Sequence, residues 1–248
     1  MIANSESVAA DARAALGPDI EVKTLLNAVD LDRFSPAGDS LDLDRASDSA
    51  PPPSGTIRVG LLGTFARWKG HETFLRAVAM LRADASLRAY VIGGPVYQTD
   101  GSQYSLDELR AIAHGVGVAD RTVFTGVVDR PDAALRSLDV VVHASTAPEP
   151  FGLVIAEAMA CARPVVVSRA GGAAELVTPG VDALTHTPGD AVELAGAIAT
   201  LVANPARRAT IARAARQTAE RRFDRRRLGP ELMSIYASLT AQVSTLGG

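Results

Sequence analysis

From Ile57 onward the chain repeats one pattern: a short, predominantly apolar run followed by a longer stretch with helical spacing. The apolar runs fall at 57–62, 89–93, 122–125, 139–143 and 164–168. Phe74, Leu75, Val78 and Leu81 recur at helical intervals, as do Leu194, Ile198, Leu201 and Val202. Strands this short and this apolar are buried on both faces, which a parallel sheet covered by helices on each side provides. The expected fold is therefore α/β, a Rossmann-like parallel sheet with helices on both faces. Ligands of such sheets bind beyond the carboxyl ends of the strands, where the connecting loops emerge.

The loop after the fourth of these runs carries the strongest functional signal. Asp139-Val140-Val141-Val142-His143 reads as a buried strand, a polar stretch runs from Ala144 to Pro148, and Glu149-Pro150-Phe151-Gly152-Leu153 turns into a helix. Free N–H groups at Phe151, Gly152 and Leu153 together with the helix dipole make an anion site there. Gly152 allows a ligand to approach the backbone closely. Glu149 lies in the loop beside that site, and Glu157 about six residues into the helix, roughly 9 Å along its axis. Glu157 is unusual because Phe151, Leu153, Val154, Ile155, Ala156, Ala158, Met159, Ala160 and Cys161 make its helix apolar nearly all round. Such a helix is buried, and a buried carboxylate needs partners. A ligand with a central phosphate and hydroxyl-rich ends suits this layout.

Composition excludes several classes. A net charge of −3 gives no electrostatic reason to bind nucleic acid. The single cysteine, Cys161, rules out an internal disulfide framework and suits a reducing cytoplasm. No apolar run approaches the roughly 18 residues of a membrane span, and the first residues lack the basic and apolar regions of a signal peptide. Asp30-Leu31-Asp32 and Asp42-Leu43-Asp44 have the spacing of an acidic metal pair but lie outside the strand-end loops, and His71, His114, His143 and His186 show no ligand spacing. No metal or cofactor is expected. His143 ends its strand beside the Glu149 loop.

The segment from Val141 through Val177 resembles the E-x7-E region of retaining glycosyltransferases with the two-domain GT-B fold, family 4 type. The stretches Asn27 to Pro36 and Gly63 to Gly70 resemble that family too. The resemblance implies a metal-independent enzyme that binds a nucleoside-diphosphate sugar and transfers the sugar to a hydroxyl of a glycan, lipid or small-molecule acceptor. It gives Glu149 the catalytic role of engaging the transferred sugar and orienting the donor, and Glu157 the ribose hydroxyls. Backbone N–H groups of Phe151, Gly152 and Leu153 would hold sugar and diphosphate oxygens. Lys69 matches the family's diphosphate-binding lysine. Thr64 stands where the family usually has arginine, and Arg67 is the nearby cation that would supply the missing charge. Gly93-Gly94 and Thr125 to Val128 would form the base pocket, through Gly94 and Val128. Gly171-Gly172-Ala173-Ala174-Glu175 resembles the family's G-G-x-x-E, with Glu175 expected to stabilise that helix end. Ala28 and Ala162 replace glycines common in the family.

Domain organisation follows from the same resemblance. Residues 1–36 read as strand, helix and strand: a remnant of an N-terminal acceptor domain and the crossover from it. Ser5 or Ser7 caps the helix, Gly17-Pro18 stops it, and Ile20 to Leu26 is the second strand. Residues 37–55 have the acidic, small-residue and proline-rich composition of a linker or mobile loop. Residues 56–248 form the donor-binding domain with a C-terminal helix, near Leu228 to Leu239, that packs against the N-terminal domain in this family. With most of that domain absent, apolar surface is expected on it. The run Arg221 to Arg227 holds five arginines, read as a solvated helix start, with contact to anionic lipid as the sharper alternative. The expected setting is cytoplasmic, with peripheral association at a membrane surface open. Two functional classes remain: a transferase donor domain, and a catalytically incompetent donor-binding module or subunit pairing with a separate acceptor domain.

Overall fold

The computed structural model describes residues 1–17, 20–81, 87–96 and 101–246, with side-chain surroundings up to Ser238. In chain order the elements are β1 (Ile2–Ala3), α1 (Glu6–Leu16), β2 (Lys23–Thr24), β3 (Ile57–Leu62), α2 (His71–Met80), β4 (Leu87–Ile92), α3 (Leu106–Gly115), β5 (Thr122–Gly126) and α4 (Pro131–Arg136). They continue with β6 (Val140–His143), α5 (Leu153–Ala160), β7 (Val165–Ser168), α6 (Gly171–Glu175), β8 (Leu184–His186), α7 (Ala191–Ala203), α8 (Pro205–Arg222) and α9 (Leu228–Leu246). Strands β3 to β8 form one sheet in the order β5-β4-β3-β6-β7-β8, parallel throughout.

The expected α/β architecture is what the chain forms, and the side-chain alternation of its strands shows why. Val59, Leu61, Ala89, Val91, Val140, Val142 and Val166 point into one core with Phe74, Val78, Leu194 and Ile198. Tyr90, Ile92, Val141, Val165 and Val167 point into the other, with Ile155, Met159, Ala215 and Phe223. Period-two alternation sends neighbouring residues to opposite faces, so a wholly apolar strand serves two cores at once. β8 was not legible as a strand: Leu184-Thr185-His186 is three residues long and carries one aliphatic side chain. The predicted strand over Ile20 to Leu26 shrinks to β2, which pairs in parallel with β1 in a separate two-stranded ladder. Ser5 caps α1 by accepting from Val8 N, and Gly17 ends it with φ 99°. Pro18, the other half of the predicted stop, lies outside the described residues.

Residues 37–55 have linker composition but pack as part of the fold. Leu43 is fully buried. Asp44, 1% exposed, bonds Arg58 at 3.0 Å, Arg88 at 3.2 Å and the Tyr90 hydroxyl at 3.0 Å. Its neighbour Asp42 accepts from Arg45 N. Acidic residues that read as solvated linker are therefore a buried anchor and a turn cap. Asp30 and Asp32, the other acidic pair, bind Arg225 at 2.6 Å and Arg226 at 3.1 Å. Val29 N donates to Phe223 O and Arg225 N to Val29 O, so the crossover and the end of the domain are laced together. The arginine run spans a helix end and a helix start: Arg225–Arg227 form a turn that leads into α9. Arg221 and Arg222 close α8, and Arg222 donates to the carbonyls of Glu175 and Leu176. Arg227 donates to the carbonyls of Leu26 and Asn27. On α9 Met233 and Tyr236 are exposed. Among the described residues no helix is long and apolar enough to cross a membrane.

Of the two alanines at expected glycine positions, Ala162 has φ 52° and Ala28 has no positive φ. Ala162 N bonds Met159 O and Arg163 N bonds Ala158 O, which is a Schellman ending for α5 with alanine at the left-handed position. Ala162→Gly should raise the unfolding free energy by about 1 kcal/mol, read as a shift in denaturation midpoint. Asp44→Ala should lower it by about 3 kcal/mol, because two guanidinium groups and a buried hydroxyl lose their acceptor.

Candidate functional site

The sheet changes winding direction between β3 and β6, and the loops leaving these strands lie side by side. The loop after β3 forms a turn over Arg67–Lys69 that hands over to α2 at Gly70. The loop after β6 crosses it, with Thr146 N donating to Trp68 O at 2.7 Å. That contact places Lys69 against Glu149, 80 residues away in sequence: Lys69 Nζ donates to Glu149 Oε1 at 2.5 Å. The ammonium also rests over the Trp68 ring at 4.3 Å.

The other oxygen of Glu149 faces inward. His143 Nε2 lies 2.6 Å from Oε2, and the Ser145 hydroxyl donates to the same oxygen at 2.7 Å. A carboxylate has no proton to give, so Nε2 carries its hydrogen toward Glu149. Burial pushes the Glu149 carboxyl up, but its interactions with His143 and then Lys69 outweigh this and hold it at about 2. A buried carboxylate is thus kept ionised by three donors. His143 was seen at the strand end in the sequence; Ser145 carried no signal of its own, because only the loop's path turns it toward Glu149.

Helix α5 starts at Leu153 rather than Phe151. Gly152 is its N-cap with φ 85°, a backbone that side chains rarely adopt, and no side chain caps the first turn. Phe151 is buried edge-on against Phe223, so only its backbone is available to a ligand, while Leu153 is 45% exposed. With the later start, Glu157 sits about one turn into the helix, roughly 6 Å along it, not nearly two. Its carboxyl is half-buried; burial pushes it up to about 7, against the opposing charge of Arg33.

Gly94 and Val128 meet in an apolar cleft of about 160 Å³. Its walls include Leu62, Thr64, Ile92, Gly93 and Val127, from the loops after β3, β4 and β5. Gly93 has φ 140°, and a Cβ there would stand 1.9 Å from Gly63 O, so the wall is backbone on backbone. The Thr64 hydroxyl is buried with no hydrogen-bond partner in the described structure. Arg67 is drawn elsewhere: it donates to Gly101 O at 2.9 Å and Glu108 at 2.7 Å, and lies over Tyr104 at 4.3 Å. The structure therefore brings Lys69 to Glu149 and Gly94 to Val128, and leaves Arg67 bracing α3. Gly171 pairs with Glu149 through a backbone bridge. Glu175 does not serve its own helix: it accepts from Glu6 N at 2.9 Å and Ser7 N at 2.7 Å, capping α1 from 168 or more residues away. Among the described residues no three His, Cys, Asp or Glu side chains converge as a metal site.

The switch-point loops of this parallel sheet bring together a cation, an ionised carboxylate and an uncapped helix start. The family described as glycosyl transferases group 1 matches residues 56–204, and the chain belongs to that family. A D-inositol 3-phosphate glycosyltransferase of Xylanimonas cellulosilytica is 30% identical over 245 residues, 97% of this chain and 57% of the relative. The structure of HepE from Anabaena, in complex with UDP and glucose, is similar at a TM-score of 0.84 and 30% identity, over 96% of this chain and 62% of that one. Sucrose-phosphate synthase from Thermosynechococcus elongatus gives 0.81 and 27%, over 97% and 58%. The six-stranded sheet and its helices match those of GT-B glycosyltransferases. The chain spans about half the length of the curated relatives it matches.

The raised Glu157 carboxyl makes a stability prediction. The native state keeps its proton between the ordinary value, 4.5, and about 7, where the unfolded chain has lost it. Stability therefore falls as pH rises through that window. Glu157→Gln should leave stability unchanged near pH 4 and raise it by about 2 kcal/mol at pH 8, checked by denaturant titration at both values.

Proposed function

We propose that this chain is the nucleotide-sugar-binding half of a retaining, metal-independent GT-B glycosyltransferase of family 4 type. The observation that carries this reading is the contact between Lys69 and Glu149 at 2.5 Å, which joins the two halves of the motif across the sheet's switch point. The base occupies the apolar cleft at Gly94 and Val128, and the ribose hydroxyls reach Glu157, whose carboxylate gains the partners it lacks. The diphosphate lies between Lys69 and the N–H groups at Phe151, Gly152 and Leu153, with the Thr64 hydroxyl as a neutral donor in the usual arginine position. Glu149 accepts from the transferred sugar. The charge that develops on the departing diphosphate is balanced by the ammonium and the oriented amides, the metal-independent route. The acceptor, a hydroxyl of a glycan, lipid or small molecule, is bound with the help of a further domain of the kind that completes the longer relatives. A cytoplasmic setting, with association at a membrane surface for a lipid acceptor, fits this role.

Thr64 favours a second reading, in which the chain binds the donor but does not transfer it, because one cation fewer faces the leaving group. Titration with UDP-, GDP- and ADP-glucose followed by assays of transfer and hydrolysis separates the two. The expected result is saturable binding of one nucleotide sugar that persists in EDTA. Binding without hydrolysis of the donor, and without transfer once an acceptor-binding domain is supplied, selects the second reading, and no binding to any of the three removes both. Lys69→Met should weaken that binding roughly 30-fold, or about 2 kcal/mol, measured by calorimetry.

A further inference from the structure

The two oxygens of Glu149 are held in different ways. Oε1 is met by one donor, the ammonium of Lys69, on a long side chain in a surface loop. Oε2 is met by two short-reach donors, His143 and Ser145, both buried. Those two are rooted in the sheet. His143 pairs with Val167 in the β6–β7 ladder, and its carbonyl lies 3.2 Å from His186 Nε2. The Ser145 carbonyl accepts from the Ser168 hydroxyl at 2.6 Å. His143 Nε2 and the Ser145 hydroxyl also lie 3.1 Å apart, so the pair converges on one point. His143 Nδ1 is buried and has no partner in the described structure, so the hydrogen bonds of this ring are made on its Glu149 side.

This asymmetry matters when a diphosphate enters. An ammonium shared between one carboxylate oxygen and a dianionic diphosphate moves toward the larger charge. Oε1 then loses its donor, while Oε2 keeps both. Without the inner pair, the freed carboxylate would rotate or move with its loop. We propose that His143 and Ser145 are positioning residues that hold Glu149 through Oε2, so that Oε1 is the oxygen presented to a sugar hydroxyl once the diphosphate draws Lys69 away. The inference rests on the donor-binding reading above and adds to it the residues that aim the carboxylate.

The test compares UDP with UDP-glucose, because only the sugar nucleotide reports on Glu149. Wild type, His143→Leu, His143→Gln and Ser145→Ala are titrated with both by calorimetry. The expected result is an unchanged UDP affinity in all four. The advantage of UDP-glucose over UDP falls about tenfold in His143→Leu and about threefold in Ser145→Ala, and largely returns in His143→Gln, whose amide restores a donor. Equal losses for UDP and UDP-glucose would assign the pair a general structural role and overturn the proposal, as would an unchanged ratio in the variants. A wild type that binds both nucleotides equally would also overturn it, since Glu149 would then not touch the sugar. If wild type binds neither, the donor reading itself fails and takes this inference with it. Should His143→Leu not fold, Ser145→Ala and His143→Gln decide.

Discussion

The parallel pairing of β3 with β6 is the constraint on which the site depends. Val59, Gly60 and Leu61 lie beside Val140, Val141 and Val142, which are some 80 residues away in sequence. Parallel strands start at one edge and end at the other, so their exit loops emerge together. One loop brings Lys69, the other Glu149, and the Thr146 to Trp68 bond sews them. Neither loop is a site alone. The same pairing separates β4 and β5 from β7 and β8, so the apolar cleft at Gly94 and Val128 opens on one side of the switch point and α6 sits on the other.

Electrostatics around Glu149 and Glu157 divide the labour between two carboxylates on one motif. Glu149 is surrounded by donors and stays ionised although burial opposes it; Glu157 has burial without comparable partners and is pushed up to about 7. An ionised acid beside an uncapped helix start suits a sugar hydroxyl next to a phosphate. Under the proposed function, the under-satisfied acid further along the helix is the group that ribose hydroxyls would satisfy.

The first strand–helix–strand unit has a small core of its own, Ala3, Ala9 and Val22, whereas Val29, Leu31 and Phe34 of the crossover join the main core. Glu175 caps α1 while Gly171, at the other end of the same short helix, bridges to the Glu149 backbone. On the opposite side, Asp30 and Asp32 meet Arg225 and Arg226, and Val29 exchanges backbone bonds with Phe223 and Arg225. The chain's two acidic pairs and its arginine run, expected as crossover, linker and surface residues, are in large part partners of buried or folded structure.

Much of the fold was legible because it depends on local pattern. Apolar runs at strand length and stripes at helical spacing placed five of the six sheet strands to within two residues, since burial on both faces makes their middle residues predominantly apolar. β8 escaped because three residues hold too little pattern, and residues 37–55 misled because composition does not tell an aspartate in water from one bound to Arg58, Arg88 and Tyr90. Of the motif residues, Glu149, Gly152 and Glu157 were legible in the loop-to-helix pattern, with the helix start read two residues early, and Lys69 was legible through the family resemblance. Which donors reach which oxygen of Glu149, that Arg67 turns to Glu108, and that Glu175 caps a helix at the far end of the chain were decided only by the tertiary structure. Those contacts join residues from separate loops, and their geometry exists only after the sheet has set the strands side by side.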